Sequence, residues 1–310
     1  MNPLFITGAT GWIGRSVLHY LHKILPRKDF NDYIIPFASS EKIIHISNGD
    51  GSFESKIRAH PLSEITSVAA GVKRLNLIHT AFLTKDRIHE TGISHYIHAN
   101  QQITECLGRL LQQNPETRSV LFSSGAAAEM GNGNSRTEIS VDSNPYAFLK
   151  RQEEILFATH ASSLILRIYA LSGRFIRTPQ SFALGSFLLS AIAGQSIVIL
   201  AKRPVVRGYV SAMDVSALAW AWLQSSDDPP STPLDAVTET IDLLSLAEMI
   251  TSMYDLPAVH HSIDAEAIPD CYMAYSQPFL DQLHRYGLVP TPLEQQIRDT
   301  SSGLISDDTG

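Results

Sequence analysis

Leu4-Phe5-Ile6-Thr7-Gly8-Ala9-Thr10-Gly11-Trp12-Ile13-Gly14 is the stretch whose reading decides the fold. A short apolar strand runs directly into glycines at 8, 11 and 14, and a helix is predicted from Ile13 to about Lys23. Gly8 allows a tight turn, Gly11 lets backbone approach a pyrophosphate, and Gly14 lets the helix pack closely on the strand. The first N–H groups of such a helix point where phosphates would sit. Three glycines at this spacing also occur in turns that bind nothing, so the assignment depends on residues further along the chain.

Working outward, the composition bounds the answer. The chain has 310 residues, 44% hydrophobic and 18% charged, which places it among ordinary globular proteins with room for a nucleotide-binding domain and a smaller partner. Its formal charge of −7, from 31 acidic and 24 basic side chains, argues against nucleic acid as a partner. Cys106 and Cys271 are too few for a disulfide framework, which fits a reducing cytoplasm. The first strand begins too near Met1 for a signal peptide, and no apolar run reaches the ~18 residues of a membrane span, so a soluble, cytoplasmic protein without a membrane partner is expected. His89, His95 and His98 lack the inward-facing partners of a zinc site, and no metal is expected.

The amino-terminal half alternates strands and helices, the pattern of an α/β, doubly wound parallel sheet of Rossmann type. The second strand is Tyr33 to Ala38. An enzyme preferring NAD places a carboxylate on the adenosine ribose about 20 residues past the glycines. Here Ser39 and Ser40 stand instead, with Arg15 and Lys42 as possible countercharges, which leans towards NADP with NAD possible. The competing reading makes both serines simple turn residues. Ile43 to Ala59 reads as a polar hairpin turning at Asn48 to Gly51. Leu75 to Ala81 is the next strand, followed by a loop from Phe82 to Thr91 over the cofactor and a helix from about Ser94 to Gln112 carrying Asn100. Another strand, Ser119 to Phe122, ends at Ser123-Ser124-Gly125, where an open parallel sheet exposes its reacting groups.

Tyr146-Ala147-Phe148-Leu149-Lys150 opens a helix that runs to about Ala158. A spacing of four puts phenol and ammonium on one helix face. A phenol of pKa ~10 is a poor base at neutral pH, and a neighbouring cation favours its ionised form. Tyr146 is then the candidate acid/base, Lys150 lowers its pKa and can hold the nicotinamide ribose, and Ser124 orients the reacting oxygen. A Tyr and a Lys four apart are commonplace surface neighbours, but the order glycine turn, Asn100, Ser124, Tyr146, Lys150, each on the right element, is not.

With these residues in this order the sequence resembles the extended short-chain dehydrogenases/reductases, also called the NAD-dependent epimerase/dehydratase family. The likeness rests on TGATGWIG at Thr7 to Gly14, HTA at His79 to Ala81, Asn100, FSSG at Phe122 to Gly125, YAFLK at Tyr146 to Lys150, LRIYALSG at Leu166 to Gly173 and VRGYVSAMDV at Val206 to Val215, all in family order. The resemblance implies cofactor contacts from Gly8, Thr10, Gly11, Trp12, Ile13, Gly14, Thr80, Ala81, Asn100, Tyr146 and Lys150, and a structural role for His79. It implies that Arg207 meets a substrate diphosphate. Where nucleotide-sugar members often carry a substrate-touching Asn, this chain has Ala170. Where dehydratases place an acid pair after the catalytic Ser or Thr, it has Gly125 and Ala126, which cannot exchange a proton.

Residues 1–172 are expected to form the dinucleotide-binding domain and 173–310 mainly a smaller substrate domain, with strands near 206–212 and 236–242 able to return to the main one. No Asp or Glu occurs from Ile155 through Met213, whereas Arg167, Arg174, Arg177, Lys202, Arg203 and Arg207 do, which concentrates positive potential for an anionic substrate unless these are solvated or structural side chains. Arg174 and Arg207 are the substrate candidates. Trp220 and Trp222 read as core, Leu243 to Met253 as a helix, and the tail from Thr300 as frayed.

The function expected is therefore hydride transfer with NADP or NAD on a sugar hydroxyl or ketone of a nucleotide sugar, by reductase or epimerase but not dehydratase chemistry. The alternatives are a reductase of small aldehydes or ketones without a nucleotide handle, and a non-catalytic dinucleotide sensor. A homodimer is expected through the two helices flanking the catalytic strands, because Ile97, Ile103, Leu107 and Leu110 on one, and Phe148, Leu149, Leu156 and Phe157 on the other, exceed one inward stripe.

Overall fold

A computed structural model of the chain describes residues 2–47, 54–84, 87–128, 140–160 and 162–305. The elements from the amino terminus are β1 (Leu4–Thr7), α1 (Trp12–Ile24), α2 (Arg27–Tyr33), β2 (Ile34–Ala38), β3 (Lys42–Ser47), β4 (Glu54–Pro61), α3 (Ile65–Val68), β5 (Asn76–His79), α4 (Ile88–Thr91), α5 (Ile93–Gln113), β6 (Arg118–Ser124), α6 (Pro145–His160) and β7 (Ser162–Ile168). Then come β8 (Ala170–Ser172), α7 (Ala183–Ile192), β9 (Val205–Ser211), α8 (Ala212–Gln224), β10 (Leu234–Ala236), β11 (Glu239–Asp242), α9 (Leu243–Tyr254), β12 (Asp270–Tyr272), α10 (Gln277–Arg285) and α11 (Leu293–Ile305). The chain divides into two compact units, Met1–Arg167 with Ala219–Leu234, and Ile168–Leu218 with Asp235–Gly310.

In the first unit the sheet order is β10-β7-β6-β5-β1-β2-β4-β3. β1 pairs in parallel with β2 on one side and β5 on the other, so that Thr7 lies in register with both Phe37 and His79. The chain leaves β1 towards β2 and later returns to its other flank at β5. That reversal opens a crevice at the carboxyl end of β1, where the glycine turn begins. β1 and β5 are buried along their whole length, as strands covered on both faces must be. Phe5, Phe37, Leu77, Leu107, Leu110, Leu121 and Phe157 form one apolar cluster there.

The polar hairpin forms as expected, β3 running antiparallel to β4 with Lys42 opposite Ala59 and Ser47 opposite Glu54. Its turn at Asn48 to Gly51 lies outside the described residues. The loop expected from Phe82 to Thr91 contains the short helix α4. The segment Ala219–Leu234 belongs to this unit, fastened by Arg118, whose guanidinium lies 4.1 Å above the Trp222 ring and donates to the Trp222 and Asp227 carbonyls at 3.1 and 3.0 Å. Both helices expected at a dimer interface are present, and of the apolar residues named for it Leu107, Leu110, Leu149 and Phe157 are buried in this unit's own core. Ile97, Ile103, Phe148 and Leu156 are half-buried, and Ile155 is 49% exposed.

The second unit is built on β9, which pairs antiparallel with β11 on one side and in parallel with β12 and then β8 on the other. β9 and β11, the strands considered able to rejoin the main domain, thus pair with each other. Leu188, Ile197, Tyr209, Leu246, Ile250 and Ile297 fill its core. Of the tail expected to fray from Thr300, residues 300–305 are instead the last turns of α11, and 306–310 lie outside the described residues. Thr300 and Gly303 are buried, Thr300 accepts from the Gly173 N–H at 2.8 Å, and a Cβ on Gly303 would stand 1.8 Å from the Arg174 carbonyl oxygen.

Candidate active site

The glycine turn is built as the sequence requires. Gly8 has φ +68°, and a Cβ there would come within 2.6 Å of the Ala81 N, while one on Gly14 would lie 2.2 Å from the Gly8 carbonyl oxygen. Neither position tolerates a side chain. Gly11 is the N-cap of α1 and makes no side-chain cap hydrogen bond, so that the helix start faces the turn as bare backbone. That cradle fits a dinucleotide pyrophosphate. The ends of β1 and β5 are locked alongside it, since the Thr80 hydroxyl donates to the Thr7 carbonyl at 2.7 Å and the Ala81 N–H to the Thr7 hydroxyl at 3.4 Å.

Asn100 is fully buried and clamps the loop after β5, accepting from the Leu83 N–H at 2.8 Å and donating to the Leu83 and Tyr96 carbonyls, both at 3.1 Å. Ser39 and Ser40 are exposed just past β2, and the next carboxylate, Glu41, is turned to Arg58 of β4. Thr10, Trp12 and Ile13 lie half-buried on the turn.

The three expected catalytic residues converge from β6 and α6. Ser124, the last residue of β6, caps the short turn Gly125–Ala127 through the Ala126 N–H at 3.2 Å. Its hydroxyl neighbours the Tyr146 phenol and favours the ionised form. Burial pushes the Tyr146 phenol above its ordinary value; Ser124 opposes this and the negative charge of Glu153 adds to it. The Lys150 ammonium donates to the Phe122 carbonyl at 3.2 Å and to Glu153 Oε2 at 2.9 Å, and sits 3.9 Å above the Phe82 ring. Phe82 in turn meets Tyr146 edge to face, ring centroids 5.7 Å apart.

Glu153 and Phe82 are site residues that the sequence reading does not single out. Glu153 had a signal, since positions 146, 150 and 153 share one helix face. Burial would raise its carboxyl, but the charge of Lys150 and the hydrogen bond from His79 outweigh that and hold it below the ordinary range. His79 Nε2 lies 3.0 Å from Glu153 Oε1, and its ring stacks on Phe157. The neighbouring Glu154 serves the scaffold, gripped by Arg167 at 2.8 and 2.7 Å and by the Ser123 hydroxyl at 2.7 Å.

Arg174 and Arg207 belong to the second unit. Arg207 donates to Asp270 Oδ2 at 3.1 Å and to the Asp270 carbonyl at 3.0 Å. The acid-free run from Ile155 to Met213 is therefore partly neutralised by carboxylates distant in sequence, Glu154 for Arg167 and Asp270 for Arg207. Among the described residues no group of three His, Cys, Asp or Glu could hold a metal ion, and no helix is long and apolar enough to cross a membrane.

A glycine turn at the switch point of a largely parallel sheet defines a Rossmann-type dinucleotide-binding fold. The chain belongs to the NAD dependent epimerase/dehydratase family, which its residues 4–233 match. No curated protein matches the sequence. Similar solved structures include MoeE5 in complex with UDP-glucose and NAD, at 16% identity and TM-score 0.70, covering 99% of each chain. The NAD-dependent NDP-hexosamine 5,6-dehydratase TunA is similar at 14% identity and TM-score 0.71 over 99% of this chain and 100% of its own. UDP-glucose 4-epimerase from Thermotoga maritima, with UDP-glucose, is similar at 16% identity and TM-score 0.67 over 99% of both.

Proposed function

We propose that this protein is a nicotinamide-dinucleotide-dependent oxidoreductase or epimerase acting on a hydroxyl or ketone of a nucleotide sugar. The observation that carries the reading is the convergence of Ser124, at the end of β6, with Tyr146 and Lys150, one turn apart on one face of α6. Bound at the glycine turn, the dinucleotide supplies the hydride chemistry. Ser124 holds the substrate oxygen, Tyr146 gives or takes its proton, and Lys150 brings a positive charge to the same helix face. Gly125, Ala126 and Ala127 carry no group able to exchange a proton, which favours oxidation, reduction or epimerisation over loss of water.

The nucleotide-sugar assignment is supported by family membership and by the UDP-glucose held in two of the similar structures. Arg174 and Arg207 are the proposed anion contacts of the second unit. The exposed Ser39 and Ser40 leave space for a 2′-phosphate and support NADP, whereas the NAD in the MoeE5 complex supports NAD. Denaturing the purified protein and identifying the dinucleotide released decides between them, and tightly retained NAD would also point to epimerisation. Calorimetry with a panel of nucleoside diphosphates tests the substrate class. Saturable binding of at least one is expected, and binding of none would turn the assignment to a small aldehyde or ketone.

A further inference from the structure

The buried carboxylate of Glu153 has no task in that scheme. It occupies the catalytic face of α6, 1% exposed, between Lys150 Nζ at 2.9 Å and His79 Nε2 at 3.0 Å. The proton on His79 is fixed from the other end. The Thr7 hydroxyl accepts from the Thr80 and Ala81 N–H groups at 3.3 and 3.4 Å, so its own proton goes to His79 Nδ1, 2.6 Å away. The ring then carries its proton on Nε2, facing Glu153. Thr7, His79, Glu153 and Lys150 thus form a buried line in which the Glu153 carboxylate faces the Lys150 ammonium directly.

The titratable groups bonded into this cluster are Lys150 and Glu153 from α6 and His79 from β5. Tyr146 shares their helix face and meets Phe82, the same ring that the Lys150 ammonium sits above, and its neighbour Ser124 of β6 is uncharged. Glu154 turns away to Arg151, to Ser123 of β6 and to Arg167 of β7. An uncompensated buried ammonium would favour tyrosinate beside it. Here the ammonium's charge is matched at salt-bridge distance. We infer that Glu153 is a positioning residue that cancels the charge of Lys150 at the phenol and so keeps Tyr146 protonated, building the site for ketone reduction. This rests on the proposed acid/base role of Tyr146. In the favoured direction the ketone carbon gains the hydride of a reduced nicotinamide and its C–O π bond opens. The oxygen takes the phenol's proton, and water reprotonates the tyrosinate. The negative charge of Glu153 pushes the phenol upward, adding to the larger effect of burial.

The test needs neither cofactor nor substrate. Tyrosinate absorbance is followed against pH in each protein, and the signal of Tyr146 is isolated as the difference from the same protein carrying Tyr146→Phe. In the parent the midpoint is expected above the ordinary phenol value of 10.0. In Glu153→Gln it should fall by about one pH unit, and in Lys150→Met it should rise by about as much. The double variant Glu153→Gln/Lys150→Met, with no net change in charge, should return to within a few tenths of a unit of the parent. A Glu153→Gln protein that is less heat-stable but titrates like the parent would make Glu153 purely structural and overturn the inference. If that single variant does not fold, a Lys150→Met midpoint that fails to rise overturns it equally. Failure of the acid/base role itself shows elsewhere, as a Tyr146→Phe enzyme that turns over like the parent.

Discussion

Glu153 and Glu154 are neighbours in sequence, both buried, and held by different partners. Glu154 is bound by Arg167 through two hydrogen bonds, and removing one partner of a buried pair leaves an uncompensated charge. Glu154→Gln is therefore expected to lose about 3–5 kcal/mol of stability, measured by denaturant unfolding. A loss below ~1 kcal/mol would place the pair among the weak surface bridges. Glu153 gives a pH-dependent signature. Its folded-state pKa is depressed below the ordinary 4.5, so its contribution to stability is present above that value and is lost as pH falls through the folded-state pKa. The stability difference between parent and Glu153→Gln should accordingly shrink on acidification below 4.5. A difference constant across that window would mean the carboxylate's ionisation is unlinked to folding.

At the scale of elements, α6 shows what a sequence can and cannot reveal. Its spacing puts Tyr146 and Lys150 on one face and puts Glu153 there too, because helical periodicity is local. The partners of that face are not local. His79 comes from β5 and Phe122 from β6, so the bonds that hold Glu153 and Lys150 in place from outside the helix could not be read from it alone. The tail escapes a sequence reading for a related reason. The buried side of α11 is largely polar, with Gln296, Thr300 and Ser301 satisfied by long-range bonds such as Ser172 to Gln296 at 2.7 Å, so no apolar stripe marks it. Gly303→Ala should cost about 1–3 kcal/mol, since its Cβ would stand 1.8 Å from the Arg174 carbonyl oxygen and α11 must shift to admit it. A thermal midpoint equal to the parent's would show that α11 is as loose as its sequence looks.

For the whole molecule, the sheet was legible because the glycine turn, the buried strands and the crossover rule leave few topologies. The division of the chain was less so. Ala219–Leu234 returns to the first unit through Arg118 stacking on Trp222, a contact no local pattern encodes. Assembly as a two-fold homodimer through α5 and α6 remains our proposal, with Ile155 as its probe, because Phe157 lies in the core and Phe157→Glu would unfold the unit. Light scattering at micromolar concentration should give a dimeric mass that Ile155→Glu lowers, and a monomeric parent would end the proposal. The central claim, that Tyr146 moves the proton in a dinucleotide-dependent reaction on a nucleotide sugar, is tested most directly by product formation. Parent and Tyr146→Phe are incubated with dinucleotide and a panel of nucleotide sugars, products are followed by NMR, and dinucleotide binding is measured in parallel. The account predicts a loss of about 10²–10⁴-fold in turnover with dinucleotide affinity held within a few-fold; turnover within a few-fold of the parent would contradict it.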